Sequence, residues 1–375
     1  MTVVVVAGMH RAGTSALARG LSALGLDLGP RLMSADVRMN ARGFFEDMDI
    51  VAQDDALLDA EGADWKSVAL LDRIDWRSPR YEPARKLARE LVASRVAPTG
   101  SFACKDPRMP RLLPFWQSVF ADLSIADAYV IAVRHPRAVV ASLCARDALD
   151  PRRSAWLWLT HLACSLAYTQ GRPRVVVDYD RLLEAPEREL ARIARALDLA
   201  PLPVDGSAMR AFRDEFLSLE LRHAHFAGDD VGVGEASPLV AQAHALAKRL
   251  AADELAPSSA EAGAAIAKLF DEVRAFAPLL AYAGAVERDA DEVPRLTGEL
   301  EWAREAIAAA ETYNADLRAL VAQRDQSAAA AKEYNEDLRA NLTRVEGELA
   351  TAQRALARLS ASLPGRLVLR WLRRV

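Results

Sequence analysis

With 375 residues, 51% of them apolar and 27% charged, the chain is long for one soluble domain and suggests a globular core with an appendage. A formal charge of −4 excludes a general nucleic-acid binder, whose electrostatic footprint is basic. Cys104, Cys144 and Cys164 have no metal-ligand spacing and read as thiols of a reducing compartment. The first element is Thr2-Val3-Val4-Val5-Val6-Ala7, an unbroken apolar, β-branched run that predicts a buried strand. It is too short for a signal peptide and has no basic region ahead of it, so the expected location is cytoplasmic. Gly8-Met9-His10-Arg11-Ala12-Gly13-Thr14-Ser15 follows at once, and Leu17, Leu21 and Leu24 then share a helical face. A buried strand, a loop bracketed by glycines and a helix make a unit that holds phosphate. The glycines let backbone N–H groups approach the anion, and the helix N-terminus adds partial positive charge. The spacing Gly8-x-x-x-x-Gly13 is that of the nucleoside-triphosphate P-loop, but Thr14-Ser15 stand where that loop has Lys-Ser/Thr. The cation is Arg11, inside the loop.

Arg11-Ala12-Gly13-Thr14-Ser15 resembles the 5′-phosphosulfate loop of sulfotransferases that use 3′-phosphoadenosine-5′-phosphosulfate (PAPS), and the octet Gly8 to Ser15 is similar to their bacterial branch. Next in order, Asn40-Ala41-Arg42-Gly43-Phe44-Phe45-Glu46-Asp47-Met48-Asp49 places three carboxylates just before a helical pattern. They suit an acidic helix N-terminus that complements the macrodipole. The resemblance implies instead a glutamate base here: Glu46 first, Asp47 and Asp49 as stand-ins. Residues 60–98, with Trp65, Trp76 and a charged helix from Glu82 to Ala93, read as a surface excursion beside the acceptor cleft.

Ser101 to Cys104 is a short strand that delivers Lys105-Asp106-Pro107-Arg108. A lysine at the carboxyl end of a parallel strand lies where such sheets bind ligands; a loop lysine in solvent is the plainer alternative. Lys-Asp-Pro also recurs in bacterial and protein-tyrosine sulfotransferases. Asp127 to Val133 is the second strong strand, and it delivers Arg134-His135-Pro136-Arg137 into a helix carrying Ser142. This string resembles the family's 3′-phosphate motif, including the eight-residue step from arginine to serine. Arg134 can fork two N–H donors onto a phosphate. Ser154 to Tyr168 predicts a buried helix rather than a membrane span. Arg174 to Asp178 is a further parallel strand, and Tyr179-Asp180-Arg181-Leu182 resembles the family's Tyr-Glu-Asp-Leu segment, with Asp180 where glutamate is usual. Asp178 is also in the place of a Walker-B magnesium ligand. Glu187 to Leu199 and the stretches 238–253 and 259–284 are helical in pattern, and Arg222 or His223 could return to the nucleotide.

The resemblance covers residues 1–285 and implies a three-layer, mainly parallel α/β domain with a P-loop-like phosphate loop. It implies transfer of a sulfuryl group from PAPS, without a metal, to an acceptor hydroxyl such as one on a cell-surface glycan or glycolipid. Glu46, Lys105 and Arg11 would be catalytic; Arg11, Ala12, Gly13, Thr14, Ser15, Arg134 and Ser142 would bind the donor. The cytosolic branch stacks the adenine on a tryptophan directly after the loop, and this chain has Ala16 there. Two rivals remain: a P-loop kinase, which would need ATP and magnesium, and an inactive nucleotide-fold scaffold.

Residues 286–297 read as a linker and 298–363 as a coiled coil. Glu311 to Ala319 recurs as Lys332 to Ala340, an offset of three heptads. Asn314 and each seventh residue to Leu363 occupy position a, and the d series runs from Leu317 to Leu359 with Arg324 as its one charge. Such a seam calls for a partner helix and hence a homo-oligomer. Residues 364–375 form a basic, Trp-bearing tail suited to peripheral contact with the inner face of an anionic membrane.

Overall fold

The computed structural model describes residues 1–36, 43–199, 206–217 and 237–361. In chain order the elements are β1 (Thr2–Ala7), α1 (Thr14–Ala23), α2 (Met48–Ala60), α3 (Glu82–Val96), β2 (Ser101–Lys105), α4 (Met109–Asp122), β3 (Ala126–Val133), α5 (Pro136–Asp147) and α6 (Pro151–Tyr168). After these come β4 (Arg174–Asp178), α7 (Tyr179–Glu184), α8 (Pro186–Ala196), α9 (Ser207–Arg210), α10 (Ser237–Ala251), α11 (Ala260–Arg274) and α12 (Ala277–Ala361). Contacts divide the chain into two compact units, Met1–Asp289 and a second beginning at Ala290.

The first unit is an α/β domain. Its four strands are all parallel, in the order β2-β1-β3-β4, with Val6 opposite both Lys105 and Val130 and Val133 opposite Asp178. Strand β1 is buried on both faces, which is why its sequence is a continuous apolar run rather than an alternation. Its side chains still alternate between two cores. Val4 and Val6 join Leu17 and Leu21 of α1, Val139 of α5 and Leu159 of α6. Val3 and Val5 join Leu57 of α2, Val92 of α3 and Trp116 of α4 on the other face. The sheet is thus the middle of three layers.

The 60–98 stretch departs from the expected surface excursion. Trp76 and Tyr81 are buried in the second core, with Trp76 edge-on to Phe115 of α4. The buried Arg111 guanidinium holds the same stretch from below, donating to the carbonyls of Asp64 (2.8 Å) and Ser67 (2.7 Å). Burial pushes that guanidinium down to about 10, so it remains charged near neutrality. Cys104 and Cys164 are buried free thiols, and Cys144 is half-buried and free.

Helix α12 includes residues 286–297 and carries Pro294 within it. Among the described residues no helix is long and apolar enough to cross a membrane. The proposed nucleotide contacts Arg222 and His223, and the basic tail 364–375, lie outside the described residues.

Candidate functional site

The site lies at the carboxyl ends of β2, β1 and β3, where an open parallel sheet offers backbone and helix N-termini to a ligand. Three helices start there: α1 after β1, α4 after β2 and α5 after β3. Neither α1 nor α5 has a side-chain cap or an acid in its first turn. Helix α7, which follows β4, is built differently. Asp178 caps it, accepting from the backbone N–H groups of Asp180 (2.8 Å) and Arg181 (3.3 Å). The first N–H groups of a helix have no acceptor within it. The α1 and α5 N-termini therefore add partial positive charge to one sheet edge, whereas at the head of α4 the buried Asp106 carboxylate accepts from the Arg108 N–H at 2.9 Å and offsets it.

The loop Gly8–Gly13 is shaped by two close approaches. A Cβ on Gly8 would lie 2.9 Å from the Ala132 side chain of β3, so the loop can sit against that strand only as glycine. Gly13 is left-handed at φ +93° and caps α1, and a Cβ there would lie 2.3 Å from the Tyr179 ring. Arg11 between them is also left-handed, at φ +68°, a conformation rare for a side-chain-bearing residue and common at ligand loops. Thr14 is buried and Ser15 half-buried at the start of α1.

The loop meets the β3–α5 junction directly. Arg11 Nε donates to Ser142 Oγ at 2.7 Å. Arg134 Nη1 donates to the Arg11 carbonyl at 3.1 Å, and its guanidinium lies 5.0 Å over the Tyr179 ring. Trp158 Nε1 of α6 donates to the Arg134 carbonyl at 3.2 Å and fixes that backbone. So Arg11, Ser142 and Arg134, far apart in sequence, form one group.

The segment before α2 enters from the other side. Lys105, buried at the end of β2, donates to Glu46 Oε1 and to the Phe44 carbonyl (3.0 Å). The same carbonyl accepts from Ser15 Oγ at 3.3 Å, which ties the Glu46 segment to the start of α1. Arg108 approaches Glu46 Oε2 at 3.9 Å while pairing with Asp106 (2.9 Å) and Asp55 (2.6 Å). Burial raises the Glu46 pKa, against the opposing pull of Lys105 and Arg108. Asp47 and Asp49 face elsewhere. Asp47 caps α2 through the Asp49 N–H and accepts from Arg95 Nε at 2.6 Å; Asp49 pairs with Arg95 (2.6 Å) and Arg31.

Two groups report the field of this cluster. The Arg11 guanidinium is pushed down by burial and then by Arg146 and Arg134. The His10 imidazole is pushed well down by burial and then by Arg146, Arg108 and Lys105. The site is strongly positive, and an imidazole within it stays neutral. Its ring packs on Trp65 at 4.6 Å, and Arg146 lies 5.7 Å over the same indole. Arg146, Arg108 and Tyr179 are absent from the sequence-derived set. Arg146 could have been found: it lies four residues after Ser142, one turn along the same helix face. Tyr179 was marked by its motif, but its place against the loop was not, because only the left-handed Gly13 brings the loop against its ring.

Neither a family model nor a curated protein matches the chain. Among solved structures it is similar to a sulfotransferase domain from the Synechococcus PCC 7002 olefin synthase, at 16% identity and a TM-score of 0.39, covering 65% of this chain and 94% of that one. It is also similar to a sulfotransferase domain from the curacin biosynthetic pathway, at 17% identity and a TM-score of 0.32, covering 56% of this chain and 79% of that one. Overlaps this loose say nothing of chemistry, which has to be read from the side chains.

Proposed function

We propose that the chain is a sulfotransferase that moves the sulfuryl group of PAPS to an acceptor hydroxyl. The observation that carries this is the meeting of Arg11, Ser142 and Arg134 at one sheet edge, 2.7 and 3.1 Å apart in successive contacts, with a buried Lys105–Glu46 pair beside them. The set suits a ligand with two separated anionic ends. The N–H groups opening α1, with Thr14 and Ser15, would hold the 5′-phosphate, and Arg134 with Ser142 the 3′-phosphate. Loop residues Ala12 and Gly13 would contribute backbone alone.

In the reaction the acceptor oxygen would attack sulfur as the bond from sulfur to the bridging oxygen of the donor breaks. The acceptor proton would pass to Glu46, and the bridging oxygen would leave as a phosphate oxygen. Burial raises the Glu46 pKa and the Lys105 pair opposes that rise; as a carboxylate Glu46 would serve as the base. Lys105 and Arg11 would meet the charge growing on the transferred group and the leaving oxygen, where fixed donors in a dry site are most effective. Engagement of Asp178 with two backbone N–H groups favours a capping role for it over magnesium binding. A cell-surface glycan or glycolipid remains the acceptor class we favour.

Isothermal calorimetry in EDTA tests the assignment. The expected result is tight binding of 3′-phosphoadenosine 5′-phosphate and much weaker binding of AMP and ADP. Arg134→Ala should weaken the first ligand by about 1.5–3 kcal/mol, the range for hydrogen bonds to charged groups. Equal affinity for AMP and the 3′-phosphorylated nucleotide would sink the reading.

A further inference from the structure

From Val293 onward α12 presents an apolar stripe to solvent. Among the described side chains of this stretch, fifteen large apolar ones are exposed, and eleven of them fall on the a and d positions of a single heptad register. The stripe begins three heptads before the repeat that first suggests it, at Val293, Leu296, Leu300 and Ile307, and continues unshifted to Leu356. Pro294 is at position b, off the seam. A solitary helix would be polar all round or fold its stripe onto its own domain; a stripe about two residues wide at a spacing of 3.5 is a two-helix seam.

We propose that this helix pairs with a second copy of itself as a parallel, in-register, two-stranded coiled coil. Three features select that occupant. The first is the amide ladder. Asn314 and Asn335 are both a residues, three heptads apart. In a parallel pair a faces a, so each asparagine meets its own copy and the two amides satisfy one another. In an antiparallel pair a faces d, and the d series contains no amide to receive them.

The second feature is charge. In a parallel pair each g residue faces the e residue five places on in the other chain. That sets Glu299 against Arg304, and Tyr313 and Tyr334 against Arg318 and Arg339, one ion pair and two cation–aromatic contacts with no like charges opposed. Third, the seam's one charged residue is accommodated. The hole that receives a d residue includes the facing e residue, so Arg324 of each chain lies beside Asp325 of the other. The Tyr-Asn-x-Asp-Leu-Arg repeat thus has its Tyr, Asn, Leu and Arg all at the seam, and its 21-residue offset presents the same face twice. Val293 at a with Leu296 at d is the combination that favours two strands, while Leu342 at a with Val345 at d is the reverse, so the strand number rests on the two asparagines at a.

Light scattering of the full chain should give twice the 40.9 kDa chain mass at micromolar concentration. Leu342→Asp with Leu349→Asp should halve that mass, while Ala340→Asp on the far face should leave it unchanged. Orientation is read by Asn335→Cys, and separately by Asn314→Cys. Each should form an interchain disulfide on mild oxidation, with Glu333→Cys and the unsubstituted chain as controls that do not. A monomer, a trimer or a tetramer at full length would overturn the proposal, and so would a dimer in which neither cysteine variant crosslinks.

Discussion

Phe45, left-handed at φ +57°, precedes two carboxylates that go to different partners. Glu46 meets Lys105 in the buried cluster, and Asp47 meets Arg95 at the head of α2. Three acids within four positions could not be told apart in the sequence, because the partners that separate them lie about fifty residues away. Their contacts assign distinct outcomes. Glu46→Gln should leave nucleotide affinity nearly unchanged and lower turnover on the order of 10²–10⁴-fold, the usual worth of a general base. Asp47→Asn should keep turnover near that of the unsubstituted chain and cost roughly 1–3 kcal/mol of stability, through the weakened Arg95 pair and cap. The pH profile has a definite sign. The base works as carboxylate, so kcat/KM falls as pH drops through its pKa; burial raises that pKa, so the limb should lie above the ordinary glutamate value of 4.5. A limb at or below 4.5, or Asp47→Asn proving the more harmful to turnover, would place the base elsewhere.

At the scale of elements, the strands were the legible part. Thr2–Ala7, Ser101–Lys105, Ala126–Val133 and Arg174–Asp178 each carry a run of mainly apolar residues, because each is covered by helices on both faces. Helix α4 was not legible. Pro107 and Pro110 crowd its start, Pro114 lies within it, and its apolar residues leave no polar face to mark a period, since ten of its fourteen residues are buried. The same helix supplies Arg111, whose length only makes sense once the 64–69 segment is seen folded over it. Arg111→Met keeps most of the volume and leaves the carbonyls of Asp64 and Ser67 without their donor. The expected loss is on the order of 2–3 kcal/mol in denaturant unfolding. Trp65, carried on that segment and packed on His10, should show a changed fluorescence in the folded variant. A loss under about 0.5 kcal/mol, the scale of an ordinary surface change, would mean that the segment is held by its apolar contacts alone.

The whole molecule divides at Asp289, and the two parts differ in how they are stabilised. The first has two cores of its own, one on each face of the sheet, and Arg11, Glu46, Lys105, Arg134 and Ser142 all lie inside it. The first turns of α12 belong to it as well, since Leu280 is buried in the larger core. A cut must therefore fall after those turns, which the heptad pattern alone would not reveal. Among its described residues the second part has no core within one chain: its large apolar side chains from Val293 to Leu356 are exposed. Hence a chain ending at Asp289 should unfold cooperatively in denaturant, with a midpoint that does not depend on protein concentration. Its affinity for 3′-phosphoadenosine 5′-phosphate should equal that of the full chain, and it should scatter as a monomer. The full chain should separate two transitions, with the helical signal of the second part rising in midpoint with concentration, as mass action requires of a stretch that is stable only when paired. If the shortened chain aggregates or loses nucleotide affinity, the helix beyond Asp289 supports the domain directly. If the second transition is independent of concentration, the helix is held within one chain and the division of labour fails.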